Sequence, residues 1–396
     1  MPADSSAIGA PALLLPTNDG RLEEYHMGAA SPFPAKAKAV FNRVAYAAAH
    51  VVADPLVPHD PWVDSAIDWD ATIAYRRHLW GLGFSVAEAM DTAQRGMGLD
   101  WPTALELIRR SAATAKADGH RRLASGAGTD HLDPAAARTL DDVIGAYEEQ
   151  FEAVEAAGSP IILMASRALV RVARSADDYL KVYDRLLTQA REPVIIHWLG
   201  DMFDPQLAGY WGSADIRAAM ATALTAIRAH PEKVDGIKIS LLDAAWEIEM
   251  RNQLPPGVRM YTGDDFNFAD LIAGDADGHS DALLGIFDAI APAASAALAR
   301  LAAGDEAGFR EALEPTVPLS RLIFAAPTRF YKTGIVFLAW LNGHQDHFTM
   351  VGGQQSARSV THLAEVFRLA DRARLFADPD LAARRMRSLL ALHGVG

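Results

Sequence analysis

Cysteine is absent from all 396 residues. That absence excludes disulfides, thiolate nucleophiles and Cys-ligated zinc together, and leaves the compartment open. A surplus of positive charge is missing too. Lys and Arg number 37 against 50 Asp and Glu, a formal net charge of −13 at pH 7. Such a field repels phosphate backbones and anionic lipid surfaces, so no nucleic acid and no membrane is expected as a partner. A small anionic ligand stays open, because a local cationic pocket overrides a global charge. No stretch approaches the roughly 18 uninterrupted apolar residues of a membrane span. The first twenty residues lack a basic segment followed by a long apolar run, and the run from Pro11 to Pro16 is too short to be one. A soluble, cytoplasmic protein is the expectation. No internal repeat is found, and no Gly-rich phosphate fingerprint follows the first strand-like run, which argues against an open doubly wound sheet.

What is present is an apolar half of the chain, enough for a large core, distributed in an alternating pattern. Residues 1–38, rich in Ala, Pro and Ser, read as an N-terminal arm or an irregular lead-in. Short apolar runs then predict strands over 44–52, 86–89, 122–125, 160–164, 194–197, 236–239, 258–261 and 282–287. Between them, amphipathic spacing predicts helices over 70–82, 101–115, 139–157, 175–190, 214–230 and 266–273. Eight strand–helix alternations within about 250 residues predict parallel strands, and an eight-fold α/β barrel fits the count better than an open sheet. The expected fold is a (β/α)8 TIM barrel over 39–292 with a helical C-terminal region over 293–396. Helices there are predicted over 293–303, 307–313, 319–325, 356–373 and 379–392.

In such a barrel the chemistry sits at the C-terminal ends of the strands. The first strand ends near His50 and the second at Asp91 and Thr92. The third ends in Gly126-Ala127-Gly128-Thr129, the fourth at Ser166 and Arg167, and the fifth at His197. The sixth carries Lys238, and the seventh ends in Gly263-Asp264-Asp265. Lys238 interrupts a strand that is otherwise apolar, Val234-Asp235-Gly236-Ile237-Lys238-Ile239. An ammonium there is costly unless paired or deprotonated, and desolvation lowers its pKa. A lysine so tuned attacks carbonyls and forms an imine that acts as an electron sink. The alternative is a structural lysine paired with Asp264 or Asp265.

Several segments carry a family resemblance in order and spacing. They are Ala66-Ile67-Asp68-Trp69-Asp70, Ala124-Ser125-Gly126-Ala127-Gly128-Thr129, Gly236-Ile237-Lys238, Val258-Arg259-Met260-Tyr261-Thr262-Gly263-Asp264-Asp265, and the stretch from Gly285 to Ala291-Pro292. Over roughly residues 40–300 the chain resembles the dihydrodipicolinate synthase/N-acetylneuraminate lyase superfamily, in a divergent branch. The resemblance implies a lyase or aldolase whose Schiff base forms on Lys238, with no cofactor and with homo-oligomeric assembly. Two departures stand out. Where the family places paired threonines at the second strand, this chain reads Met90-Asp91-Thr92-Ala93-Gln94-Arg95. An ionised Asp91 repels a pyruvate carboxylate, which Arg95 or Arg167 would have to offset. The family's tyrosine after strand four is also missing, with Met164-Ala165-Ser166-Arg167 in its place. His197 or Ser166 then becomes the expected proton shuttle, and a histidine has the better pKa for it.

The remaining candidates are substrate-binding residues: His50, Asp91, Thr92, Arg167, Asp264 and Asp265. One of the two adjacent aspartates is expected to cap the following helix and the other to point inward. Polar groups at several strand ends suggest a sugar-derived carbonyl substrate. Arg167 is expected to bind an anion or to pair with a carboxylate such as Asp201. The Asn342-Gly343-His344-Gln345-Asp346-His347 segment is rich in potential ligands, but capping and interface contacts are the commoner uses, so no metal is assigned there. Two other classes stay open: a metal-dependent barrel isomerase or hydrolase using His50, His197 and Asp265 with Zn²⁺ or Mn²⁺, and a non-catalytic sugar-binding barrel.

Overall fold

The computed structural model of the protein describes residues 12–91, 94–119 and 121–395. Eight strands close into a barrel: β1 Ala45–Ala48, β2 Ser85–Glu88, β3 Leu123–Ala127, β4 Ile161–Leu163, β5 Val194–Leu199, β6 Val234–Ser240, β7 Arg259–Thr262 and β8 Asp281–Leu284. Each pairs in parallel with its sequence neighbour, and β8 closes onto β1 through Ala282–Ala45, Leu283–Tyr46 and Leu284–Ala47. All eight predicted strands are present. β1 and β8 are shorter than predicted: β1 stops at Ala48, and β8 stops at Leu284, where Gly285 leads into a helical turn over Ile286–Ala289.

Side chains alternate between the barrel interior and the surrounding helices. On β5 and β6 this points Ile195, His197, Gly236, Lys238 and Ser240 inward, while Ile196, Trp198, Ile237 and Ile239 pack against the helical layer. The lower interior is filled by Tyr46, Ala124, Ile162, Ile195, Tyr261 and Leu283. Glycine makes this filling possible, since a Cβ on Gly236 would fall 2.6 Å from the Tyr261 ring.

The six barrel helices predicted from spacing form, most with a polar cap at the N-terminus. Asp68 accepts from the Ala71 amide at 2.9 Å to start Trp69–Gly81, and Thr139 and Asp142 form a capping box for Leu140–Ala156. Helices Arg167–Val172 and Ala244–Arg251 were not predicted; each is too short to display a periodic apolar stripe.

Two regions correct the sequence reading. The N-terminal arm is not irregular where it is described: Ala12–Pro16 and Leu22–His26 form an antiparallel hairpin. It packs on the C-terminal helices Val360–Arg372 and Pro379–Leu392, burying Leu13 and Leu15 while Leu14 faces out. The C-terminal region also holds an unpredicted helix, Tyr331–Leu341, in which every residue is buried. A helix apolar all round has no one-sided stripe, so spacing cannot reveal it. It lies against the Ile286–Ala289 turn at the mouth of the barrel. Among the described residues no helix is long and apolar enough to cross a membrane.

Candidate active site

Lys238 is in register with Tyr261 on β7 and with His197 on β5. Gly263 leaves room for the lysine: a Cβ there would fall 2.8 Å from Lys238 Cε. The side chain is buried, 6% exposed, and among the described residues it forms no ion pair with Asp264 or Asp265. Burial pulls the amine below its ordinary pKa, nearby Asp265 and Asp91 oppose this, and the Lys332 charge adds to the lowering. Asp265 is pushed the other way, up from the usual carboxylate range, again chiefly by burial. One of its oxygens accepts from the Ile286 amide at 2.9 Å. Amine and carboxyl are thus both drawn toward their neutral forms by the same desolvation.

The two side chains face a narrow pocket at the C-terminal mouth, whose accessible space of about 10 Å³ holds little more than a water molecule in this conformation. Its other polar groups are Asp91, His197, Ser240 and Tyr331, and its apolar walls include Leu199, Phe203 and Phe324. His197 Nε2 lies 3.3 Å from Ser240 Oγ. Burial, reinforced by Lys238, holds the imidazole well below its ordinary pKa.

Asp91 is delivered by a tight turn at the end of β2. Ala89 takes a positive φ of 47°, and Arg95 donates to its carbonyl at 3.1 Å. Two residues of the unpredicted helix converge on Asp91. The Tyr331 hydroxyl donates to its carboxylate, and Lys332 Nζ lies 3.1 Å from Asp91 Oδ2. The same amine donates to the Ala48 carbonyl at 2.6 Å and stands 3.9 Å from Asp288. Asp288 in turn binds the His50 ring at 2.9 Å and accepts from the His50 amide at 2.6 Å. These contacts outweigh burial and hold Asp288 down at about 2.

Of the predicted site residues, the structure brings Lys238, His197, Asp91 and Asp265 together. It separates the others. His50 is fully buried in its pair with Asp288 and packs on Tyr75 at 4.4 Å, outside the cavity lining. Asp264 does not cap the following helix, Phe268–Ala273, whose N-cap is Asn267; its carboxylate accepts from the Phe266 and Asn267 amides at 2.8 and 3.1 Å in the turn before that helix. Ser166 caps helix Arg167–Val172 and bonds the Thr129 hydroxyl at 2.6 Å, so it is not poised beside Lys238. Arg167 pairs with Asp204 at 2.5 Å rather than with Asp201, on the wall of a separate cleft. Arg95 is buried against Asp130 and Gln150 and so offers no free charge to a substrate. Thr92 lies outside the described residues. His344 packs between His78 and Tyr75, and the Asp346 side chain is fully exposed. Among the described residues no group of three or more His, Asp or Glu side chains is arranged to hold a metal ion.

Sequence reading missed Tyr331 and Lys332. The available signal was a lysine next to a long apolar run, Tyr331-Lys332-Thr333-Gly334-Ile335-Val336-Phe337, which marks a buried charge in need of a partner.

A closed parallel eight-stranded barrel with a desolvated lysine on its sixth strand defines the structural class. Its fold is similar to that of solved structures of the dihydrodipicolinate synthase family. The 4-hydroxy-tetrahydrodipicolinate synthase of Methylacidiphilum fumariolicum superposes with a TM-score of 0.62 at 13% identity, covering 88% of this chain and 99% of that one. YagE, a prophage protein of the dihydrodipicolinic acid synthase family from E. coli K12 solved with pyruvate, gives 0.62 at 12% identity, covering 90% and 99%. The enzyme from Cyanidioschyzon merolae with lysine bound gives 0.61 at 13%, covering 84% and 98%. No match was found among curated proteins. The chain belongs to the DUF993 family, described as proteins of unknown function, whose model matches residues 13–395.

Proposed function

We propose that this protein is a Schiff-base lyase or aldolase, in which Lys238 condenses with a small carbonyl compound and a C–C or C–O bond is broken or formed. The observation that carries the reading is the buried Lys238 amine, unpaired among the described residues and facing a cavity beside Asp265. A free amine is the nucleophile, and the iminium it forms accepts the electron pair of the breaking bond. Asp265 is suited to hold the substrate or the carbinolamine. His197 and Ser240 are suited to hydrogen-bond a hydroxyl or carbonyl of the substrate. Polar groups on several sides of a small cavity favour a short, hydroxylated, sugar-derived ketone or aldehyde. The reading includes cytoplasmic location and homo-oligomeric assembly, the latter tested by light scattering on the purified chain.

Borohydride reduction in the presence of a panel of keto sugars and short hydroxy ketones, followed by peptide mass spectrometry, tests the lysine. A reduced adduct on Lys238, lost in Lys238→Ala, is the expected result. No adduct across the panel would overturn the reading and favour the non-catalytic sugar-binding barrel. The metal-dependent alternative loses support from the locking of His50 against Asp288, which leaves the set of His50, His197 and Asp265 dispersed.

A further inference from the structure

We infer that Tyr331, supplied by the C-terminal helical region, is the catalytic residue that relays protons between substrate bound on Lys238 and Asp91. This rests on the Schiff-base reading above.

The cavity offers few groups for the task. His197 is engaged with Ser240 at 3.3 Å, and burial disfavours its protonated form, which a base must reach. Asp265 adjoins Lys238 and is anchored on the Ile286 amide at 2.9 Å. Tyr331 alone joins the cavity to a carboxylate by a direct hydrogen bond, from its hydroxyl to Asp91, among the described cavity residues. Its ring is held for one orientation: it stacks on Phe324 at 4.3 Å and meets Phe203 edge-on at 6.2 Å. The acceptor is held as well. Asp91 is fixed by Lys332 at 3.1 Å, and Lys332 is fixed by the Ala48 carbonyl at 2.6 Å. Asp91 and Lys332 therefore act through the phenol, and Lys332 is a positioning residue.

In the step this arrangement performs, the C–H bond next to the iminium carbon breaks. Its electron pair forms the enamine double bond, and the iminium nitrogen becomes neutral. The proton passes to the Tyr331 oxygen as the tyrosine's own proton passes to Asp91. One positive charge on nitrogen and one negative charge on Asp91 disappear together. Cleavage of a carbon–carbon bond uses the same path, with the departing proton coming from a substrate hydroxyl. Reversal returns the proton to the enamine.

The test uses the full chain with hydroxyacetone and dihydroxyacetone as probes in D2O. Two signals are read: the borohydride adduct on Lys238 by mass spectrometry, and deuterium entering the probe's α-carbon by NMR. Wild type is expected to show both. Tyr331→Phe is expected to keep the adduct and to lose deuterium exchange by about 100-fold or more, the scale of a lost acid–base group. Asp91→Asn is expected to act in the same direction. Replacing Tyr331 by 3-fluorotyrosine, whose phenol is more acidic, is expected to move the alkaline limb of the exchange profile to lower pH. That shift is a readout a purely structural ring would not give, and it stands even where Tyr331→Phe folds poorly. Unchanged exchange in folded Tyr331→Phe, an unmoved profile in the fluorinated protein, or loss of adduct and exchange together would overturn the inference while Lys238 stands. Absence of any wild-type adduct would instead remove the Schiff-base reading itself, and this inference with it.

Discussion

Lys332 Nζ lies 3.1 Å from Asp91 Oδ2, a buried ion pair between the C-terminal helical region and the end of the second barrel strand. Both side chains are nearly inaccessible, at 2% and 8% exposed. Such a pair is costly to split, because removing one partner strands the other charge in a low-dielectric site. Lys332→Met is therefore expected to destabilise the fold by about 3–5 kcal/mol. Urea unfolding monitored by circular dichroism checks this. Adding Asp91→Asn to Lys332→Met should recover part of the loss, since the charge that Lys332 balances is then removed as well.

Gly263 is predicted to be a spacing residue for the reactive lysine. A methyl there would press on Lys238 Cε at 2.8 Å and on the Ile239 carbonyl at 2.5 Å. Overpacking of this kind typically costs about 1–3 kcal/mol. Gly263→Ala is expected to lower the thermal midpoint and to abolish the borohydride adduct on Lys238. Gly257→Ala meets no atom within 4 Å but carries a φ of 88°, so it tests backbone strain without crowding the lysine. It is expected to lower stability while keeping the adduct.

The pH dependence of imine formation follows from the Lys238 environment. Only the free amine attacks, and burial lowers the pH at which it appears, with Asp265 and Asp91 acting against that trend. Cyanoborohydride trapping is expected to rise with pH and to level off well below 10.5, the ordinary lysine value. A titration that climbs only around 10.5 would place the amine in a water-like environment and count against the site.

Acid stability should depend on His344. Burial holds its imidazole down at about 3 from an ordinary 6.5, with the nearby His78 and His50 adding to the effect. Above pH 6.5 the group is neutral in both folded and unfolded chains and leaves stability unaffected. As pH falls below that, the unfolded chain takes up a proton that the folded one refuses, so stability declines until about pH 3 and then stops declining on this account. Each pH unit in that window costs about 1.4 kcal/mol at most. His344→Leu is expected to flatten the slope of unfolding free energy against pH between 6 and 4, read by urea melts at a series of pH values about one unit apart.

Much of the barrel was legible before any coordinates. Most strands are short, largely apolar runs buried on both sides, and their brevity and flanking turns mark them. Lys238 stood out for the same reason, as a charge inside such a run. The aspartate pair was readable as one group spent on the backbone and one inward group, but only the structure assigns Asp264 to the turn before the helix and Asp265 to the pocket. Ser166 and His50 look like site residues because they end strands. In three dimensions Ser166 Oγ is taken up by a helix N-terminus and His50 Nδ1 by Asp288.

By itself, the order of apolar runs determined an eight-fold α/β barrel and placed a lysine on its sixth strand, because strand alternation and length are local properties of the chain. Only the tertiary structure decided that Tyr331 and Lys332 close the site, since their partner Asp91 lies about 240 residues away and no spacing rule spans that distance. Only packing likewise decided which buried polar groups are spent on each other and which still face the cavity.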